Sequence, residues 1–456
     1  MSTSYTSTAT GRTVATLPFD GRHAYYLTVS LMEQLIGSTL AAVTGVIVPL
    51  IVLLGHPHLS SLVQGLVAAM SLTGIALGSM VMGSLSDRSG YLGYFRLCPV
   101  LIMAGAAMVW LWGSDSLAVL MTGLFITGCG VGGGYSLDSD YISELMPAKW
   151  RFISLGIAKA SSAIGFILGA VACYYIIHAV REATVWPALM IPVGTLGLIT
   201  LLMRLRWWES PAWLMAHGMP EKALIAAGKF FGPGTGVIPV KKDDVKSATW
   251  GEMFRKDNLP KVIFCGIPWA CEGVGVYGIG VFLPMLVDAL GLMPDSLHGI
   301  LRIEHSVEIT AWINFFILPG FIIGLLLMKR LWHVAMLTWG FVVCALGLVL
   351  LLVAHMLGLP IWLSLVGFFI FEIFLNAGPH LMTFVIPSEV YPVADRGAGV
   401  GIASMLGKVG AIVGVIIMPV LLSAGGMELV LTVSTAVMVA GALVSAIIGR
   451  KVLPRT

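Results

Sequence analysis

The sequence predicts an all-α integral membrane protein in which twelve transmembrane helices form two pseudo-symmetric six-helix halves, and three observations predict it. Of 456 residues, 58% are hydrophobic and only 11% charged, too few charges to cover a soluble globule of this size. Apolar runs long enough to cross the ~30 Å hydrocarbon core of a bilayer as helices recur along nearly the whole chain, twelve in all. Finally, the chain repeats itself. Ser143-Glu144-Leu145-Met146-Pro147-Ala148-Lys149-Trp150-Arg151 and Ser388-Glu389-Val390-Tyr391-Pro392-Val393-Ala394-Asp395-Arg396 share S-E-x-x-P-x-x-x-R at an offset of 245, and the match continues through Gly156/Gly401, Ile157/Ile402, Ala158/Ala403, Gly165/Gly410, Ile167/Ile412 and Gly169/Gly414. That is ten identities in 27 gap-free positions. A half-chain offset in so apolar a sequence means two copies of one membrane unit, with the site expected where the copies meet.

The spans fall near 26–54, 62–85, 98–114, 117–142, 152–180 and 185–203, then 261–286, 307–328, 334–354, 361–387, 398–423 and 428–449. The organisation is therefore a tail (1–24), an N-terminal half (25–203), a polar linker (204–260), a C-terminal half (261–449) and a short tail (450–456). The first 24 residues are Ser/Thr-rich and lack an apolar core, so no cleaved signal peptide is expected and the first span is retained. Pro220–Gly228 reads as a short surface helix within the linker. With both termini cytoplasmic, 22 of the 26 Lys and Arg face the cytoplasm, Arg181 and Arg302 lie outside, and Lys159 and Lys408 lie within spans. This is the asymmetry of the positive-inside rule, not a nucleic-acid signal.

Two patterns are read as packing. The six cysteines (Cys98, Cys129, Cys173, Cys265, Cys271, Cys344) sit in or at the ends of spans without a C-x-x-C pair, so they read as small core residues. Gly128, Gly130 and Gly133 match G-x-G-x-x-G, but a nucleotide fingerprint needs a preceding strand, and here the glycines interrupt an apolar helix. Glycine in a membrane helix lets a neighbouring helix approach closely.

Gly83-Ser-Leu-Ser-Asp87-Arg88-Ser-Gly90, after the second span, resembles the G-x-x-x-D-R-x-G loop of the major facilitator superfamily. Glu209-Ser210-Pro211-Ala212-Trp213-Leu214 is similar to the sugar-porter P-E-S-P-R-W-L motif, with Trp208 and Ala212 in place of its proline and arginine. Residues 376–392 (NAGPHLMTFVIPSEVYP) and 407–412 (GKVGAI) are similar to phosphate:proton symporters and related metabolite transporters. The chain departs from the symporters at Leu124, where relatives often carry arginine, and at Gly134, where they carry aspartate. These departures argue against phosphate as the substrate. The resemblance implies the major facilitator fold and a secondary transporter of a small polar metabolite, an organic acid or sugar-like solute, moved with protons by rocking of the two halves. It implies a cell (inner) membrane location, no cofactor and no nucleic-acid partner.

The repeated turns place a carboxylate and an arginine beside a helix-ending proline. Glu144, Arg151, Glu389 and Arg396, with Asp87, Arg88 and Glu209, are the candidate cytoplasmic gate, expected to join the halves in one state and release them in the other. Plain interfacial anchoring is the competing account of these charges.

Ionisable residues inside spans are costly, and each is a functional candidate until a structural partner is found. At ~1.5 Å per residue, Lys408 lies ~18 Å from the Arg396 end of its span and Glu272 ~16 Å from Lys261. Both are near the midplane, as are Glu33 and Asn376. Lys408 is expected to pair with Glu272 in one state and with an anionic substrate group in another; a static ion pair is the alternative. Asp138 and Lys159, at ~9 and ~12 Å on consecutive antiparallel helices, are expected to face each other, either as a structural bridge or as a transport pair. Trp269, Tyr277, Tyr135 and His380 flank the charges as rings with a polar edge. Glu372 lies ~25 Å from the cytoplasmic end, near the outer mouth. The candidate substrate and proton residues are thus Lys408, Glu272, Trp269, Asn376, Asp138, Lys159 and Glu33. A solute receptor on the same fold is the alternative function. An enzyme is not expected, since no nucleophile–base pair, metal cluster or phosphate loop is present.

Overall fold

The computed structural model describes residues 13–54, 60–237, 253–294, 296–391 and 396–454, the side chains of residues 396–398 excepted. Among these residues eleven helical stretches are long and apolar enough to cross a membrane. The last, Gly399–Val452, is two helices, because Gly425 (φ −146°) and Gly426 (φ 63°) leave helical geometry between them. Twelve spans result.

The first span (Met32–Leu53) follows a separate surface helix, Gly21–Val29, capped by Asp20, whose carboxylate accepts from the Arg22 and His23 amides. The second to fifth spans are Ser61–Ser89, Tyr91–Trp112, Leu117–Leu145 and Arg151–Val180. The sixth runs as a 3₁₀ stretch, Ala183–Met190, into Ile191–Arg204. Two short helices follow, Pro211–Ala216 and Pro220–Phe231, the second covering the surface helix expected from Pro220.

The C-terminal half is more broken. Its seventh span is Leu259–Gly273, a π-helical turn Val274–Ile279, and Leu283–Ala289. The eighth divides into Gly299–Phe315 and Ile317–Leu327, where Pro319 supplies no amide for the ladder. The ninth, His333–Met356, is continuous, and the tenth divides at Gly378–Pro379 into Ile361–Ala377 and Pro379–Val390. Interruptions in membrane helices free backbone groups and cluster where a helix lines a polar cavity.

The repeat seen in sequence is a repeat in packing. In the first half the first span packs on the fifth, the second on the fourth, and the third on the fourth and sixth. The second half repeats this, with seventh on eleventh, eighth on tenth, and ninth on tenth and twelfth. Between the halves the main contacts are second on eleventh and fifth on eighth, pairs that exchange under the pseudo-two-fold.

The glycine-rich fourth span is a packing surface, as expected. A Cβ on Gly128 would overlap the Ser71 carbonyl and one on Gly132 the Ile75 carbonyl, both in the second span, while Gly130 lies against Cys98 and Ile102 of the third. Gly128→Val is expected to destabilise the fold by about 1–3 kcal/mol or more, since overpacking at a backbone contact has no soft side chain to move. A lowered melting temperature of the purified protein checks it; an unchanged one would show that these helices are free to separate.

Candidate functional site

Two buried polar clusters lie inside the bundle. The first is confined to the N-terminal half and is organised by Arg204, the last residue of the sixth span, which is fully buried. Its guanidinium donates to both carboxylate oxygens of Glu33, to Asp138 Oδ1 at 2.8 Å, and to the Phe95 and Val29 carbonyls at 3.0 and 3.3 Å. The Phe95 ring lies beneath it at 3.5 Å. Glu33 fits because the fourth span has no side chain at Gly134, where a Cβ would overlap the glutamate.

This corrects the expected Asp138–Lys159 pair. Depth along a helix gives height in the membrane but not the direction a side chain faces. The fifth span turns its glycines to the first, Gly165 against Leu35 and Gly169 against Ala42 and Thr39, and carries Lys159 away from Asp138. Arg204 itself falls in sequence at the start of the polar linker, because Arg206 and Glu209 follow closely. The signal available in the sequence is an imbalance, three carboxylates (Glu33, Asp138 and Asp140) against one lysine within the spans of the N-terminal half.

The second cluster gathers residues from both halves. Lys159 of the fifth span lies 6.0 Å from the Phe384 ring, and both Lys159 and Lys408 act electrostatically on Glu272. Lys408, from the eleventh span, lies over the rings of Tyr135 (5.2 Å) and Tyr277 (4.9 Å) and reaches the Tyr277 hydroxyl at 3.4 Å. Glu272 instead faces His380, its Oε1 3.6 Å from Nε2. In this state Lys408 is therefore held by tyrosines, and the Lys408–Glu272 contact is not made. Trp269 packs against Gly407 and Phe384 at the edge of the cluster.

Local sequence explains the convergence. The π-helical turn begins just after Glu272 and Gly273, and the tenth span breaks between Asn376 and His380. Each interruption lies beside one of the polar side chains. Glu372 and Asn376 also line a small cavity with Asn314, Gly280 and Phe166, the last from the opposite half, with room for about one water molecule.

The candidate gate residues lie on the face that carries residues 204–237. Glu144 accepts from the Ser210 hydroxyl, and Glu209 accepts from the amides of Tyr91 (3.0 Å), Leu92 (3.2 Å) and Ser210 (3.0 Å). Gly90, with φ 102°, makes the tight turn that presents those amides, and the Trp213 indole donates to the Asp87 carbonyl at 3.0 Å. Asp87 and Arg88 are exposed, and Arg151 is half-buried. Glu389 bonds His333 at 2.7 Å within its own half. Arg396 has its side chain outside the described residues. These bonds tie Glu144 and Glu209 to the N-terminal half and the start of the linker, and Glu389 to the C-terminal half.

The opposite face is closed. Gly45 packs on the Val281 carbonyl, Gly65 on the backbone of Ile416, and His178 Nδ1 meets Glu304 Oε1 across the halves at 2.7 Å. His178→Ala is expected to loosen this closure by about 1–2 kcal/mol, or about five- to thirtyfold in population. The readout is the labelling rate of a cysteine at Phe166 from that face, with the other thiols removed. An unchanged rate would reduce the pair to a surface contact.

Comparison with known proteins places these features. Residues 4–453 match the family model described as sugar (and other) transporter. An inner membrane metabolite transport protein of Escherichia coli, YgcS, is 26% identical over 396 residues, covering 85% of this chain and 83% of that one. The glucose transporter GlcP of Staphylococcus epidermidis is 23% identical over 373 residues, covering 80% of each. Among solved structures, a partially occluded inward-open conformation of the E. coli xylose transporter XylE aligns with a TM-score of 0.78 at 17% identity, covering 96% of this chain and 99% of that one. These relatives are transporters, not enzymes. The chain is a multi-pass membrane protein with the major facilitator superfamily fold, and it belongs to the sugar (and other) transporter family of metabolite transporters.

Proposed function

We propose that the chain is a proton-coupled secondary transporter of a small organic acid, worked by alternating access. One observation carries the substrate class: two ammonium groups, Lys159 from one half beside Phe384 and Lys408 from the other over Tyr135 and Tyr277, act electrostatically on one carboxylate, Glu272, which itself faces His380. Two cations against one carboxylate leave a positive excess, which an anionic substrate group offsets. Tyr135, Tyr277 and Trp269 supply ring faces and polar edges around it. A sugar-like solute offers hydroxyls but no charge and fits this excess less well.

The two clusters divide the work. Lys159, Lys408, Glu272, Trp269 and Asn376 belong to the substrate space. Glu33 and Asp138 share one guanidinium, that of Arg204, and serve the stability of the N-terminal half. The face bearing Glu144, Glu209 and Glu389 is cytoplasmic, with both termini, in the cell membrane. With His178–Glu304 closing the other face and the bonds of these carboxylates not joining one half to the other, the arrangement is inward-facing. In the outward-facing state Glu144, Arg151, Glu389 and Arg396 join the halves, with Asp87, Arg88 and Glu209 supporting the turns.

A thermal-shift screen of the purified protein against carboxylic acids identifies the substrate, because a ligand that prefers the folded state raises apparent stability. Uptake of that compound into proteoliposomes under an imposed pH gradient then tests the reading. Accumulation collapsed by a protonophore is expected; binding without accumulation would make the protein a receptor.

A further inference from the structure

The polar side chains of the tenth span form a ladder whose last rung fixes the place of a proton. Asn376 Nδ2 donates to the Glu372 carbonyl at 2.8 Å and lies 3.4 Å from Glu372 Oε2. Both contacts engage the NH₂ end of the amide, so Oδ1 turns to His380, whose Nδ1 is 2.9 Å away. An amide oxygen only accepts, so Nδ1 carries the hydrogen. In the neutral ring Nε2 is then a lone-pair acceptor, and it faces Glu272 Oε1 at 3.6 Å.

Neither Nε2 nor Oε1 has another hydrogen-bond partner among the described residues, and both side chains are buried. Two acceptors left facing each other in a buried site carry a desolvation cost that one proton between them removes. The proton lies either on the carboxyl, donating to Nε2, or on the ring as imidazolium, donating to the carboxylate.

We propose that Glu272 and His380 share one proton, with Asn376 fixing the imidazole tautomer, and that this pair carries the coupling proton; the inference rests on the transport reading above. The groups facing the pair are Lys159 from the fifth span, Lys408 from the eleventh and Tyr277 from the seventh, with the Phe321 ring of the eighth against the imidazole at 5.3 Å and Glu372 of the tenth held farther off, against Asn376. Both lysines act on both members of the pair. A substrate carboxylate that draws Lys159 and Lys408 to itself weakens their hold on ionised Glu272. Substrate and proton then favour each other's binding, and linkage makes the effect reciprocal. His380 is a positioning partner for the proton, and Asn376 acts through it.

The test needs no substrate, since the probe is the proton itself. Infrared spectra of the purified full-length protein at neutral pH, and ¹⁵N spectra of histidine-labelled protein, report where it sits. The pair gives either a buried carboxylic-acid C=O band that Glu272→Gln removes and Glu272→Asp shifts, or a His380 ring protonated at both nitrogens. In the first case His380 carries its hydrogen on Nδ1, and Asn376→Leu releases the ring into a mixture of tautomers. A neutral His380 with its hydrogen on Nε2 in the wild type overturns the proposal, as does a neutral ring beside an ionised Glu272. The wild-type ring decides even where a variant fails to fold. Proton-driven uptake by a protein lacking the shared proton would leave the transport reading standing and remove this one.

Discussion

Lys408→Ala is expected to abolish binding of the substrate acid, weakening it by about 2–5 kcal/mol, or about thirtyfold to several thousandfold in Kd, the range for truncating one partner of a buried charge contact. The prediction follows from what holds Lys408 in place. Its partners are the Tyr135 and Tyr277 rings and the Tyr277 hydroxyl, which stabilise a cation without neutralising it. The ammonium therefore stays available to a substrate carboxylate. Glu272→Gln should leave binding within a few-fold of wild type, since the lysines remain, while the dependence of accumulation on the pH gradient is lost. Titration of the purified variants with the acid found by thermal shift measures both. A static Lys408–Glu272 pair gives a different pattern, in which either single change destabilises the protein and the double neutral replacement restores it together with proton-driven uptake.

Arg204→Leu should be the most destabilising single change in the N-terminal half. Removing the guanidinium leaves Glu33 and Asp138 buried without their cation, and breaking a buried pair in this way costs about 3–5 kcal/mol. The loss is one of compensation rather than of attraction. Accordingly, Arg204→Met combined with Glu33→Gln and Asp138→Asn should recover most of the melting temperature lost in Arg204→Leu, because no buried charge remains. A triple variant as unstable as the single one would mean that Arg204 acts chiefly through its bonds to the Phe95 and Val29 carbonyls.

The sequence made the spans legible because a lipid-exposed backbone must satisfy its own hydrogen bonds, so every crossing is written as a long apolar run. The repeated turn made the pairing of the halves legible as well, whereas the tenth span, expected as one run over 361–387, is broken at Gly378-Pro379. Direction around a helix was not legible. Asp138 and Lys159 share a height, but the packing of the fifth span on the first turned Lys159 to the central space and left Asp138 to Arg204. Arg204 was hidden by its neighbours, since an arginine at a helix end beside Arg206 and Glu209 reads as linker until the fold buries it. His380 was visible only as a ring near charges. Its role depends on an amide one helical turn away and on a carboxylate from another span, and neither contact has a signature in sequence spacing.

The central claim is that the charges meeting between the halves bind substrate and proton together. It is tested most directly by measuring equilibrium exchange and pH-gradient-driven accumulation of the same acid in the same proteoliposomes, for wild type and Glu272→Gln. The account predicts that the wild type does both, and that Glu272→Gln exchanges the acid at a rate near wild type but no longer accumulates it. Accumulation by Glu272→Gln up to the wild-type level would contradict the account.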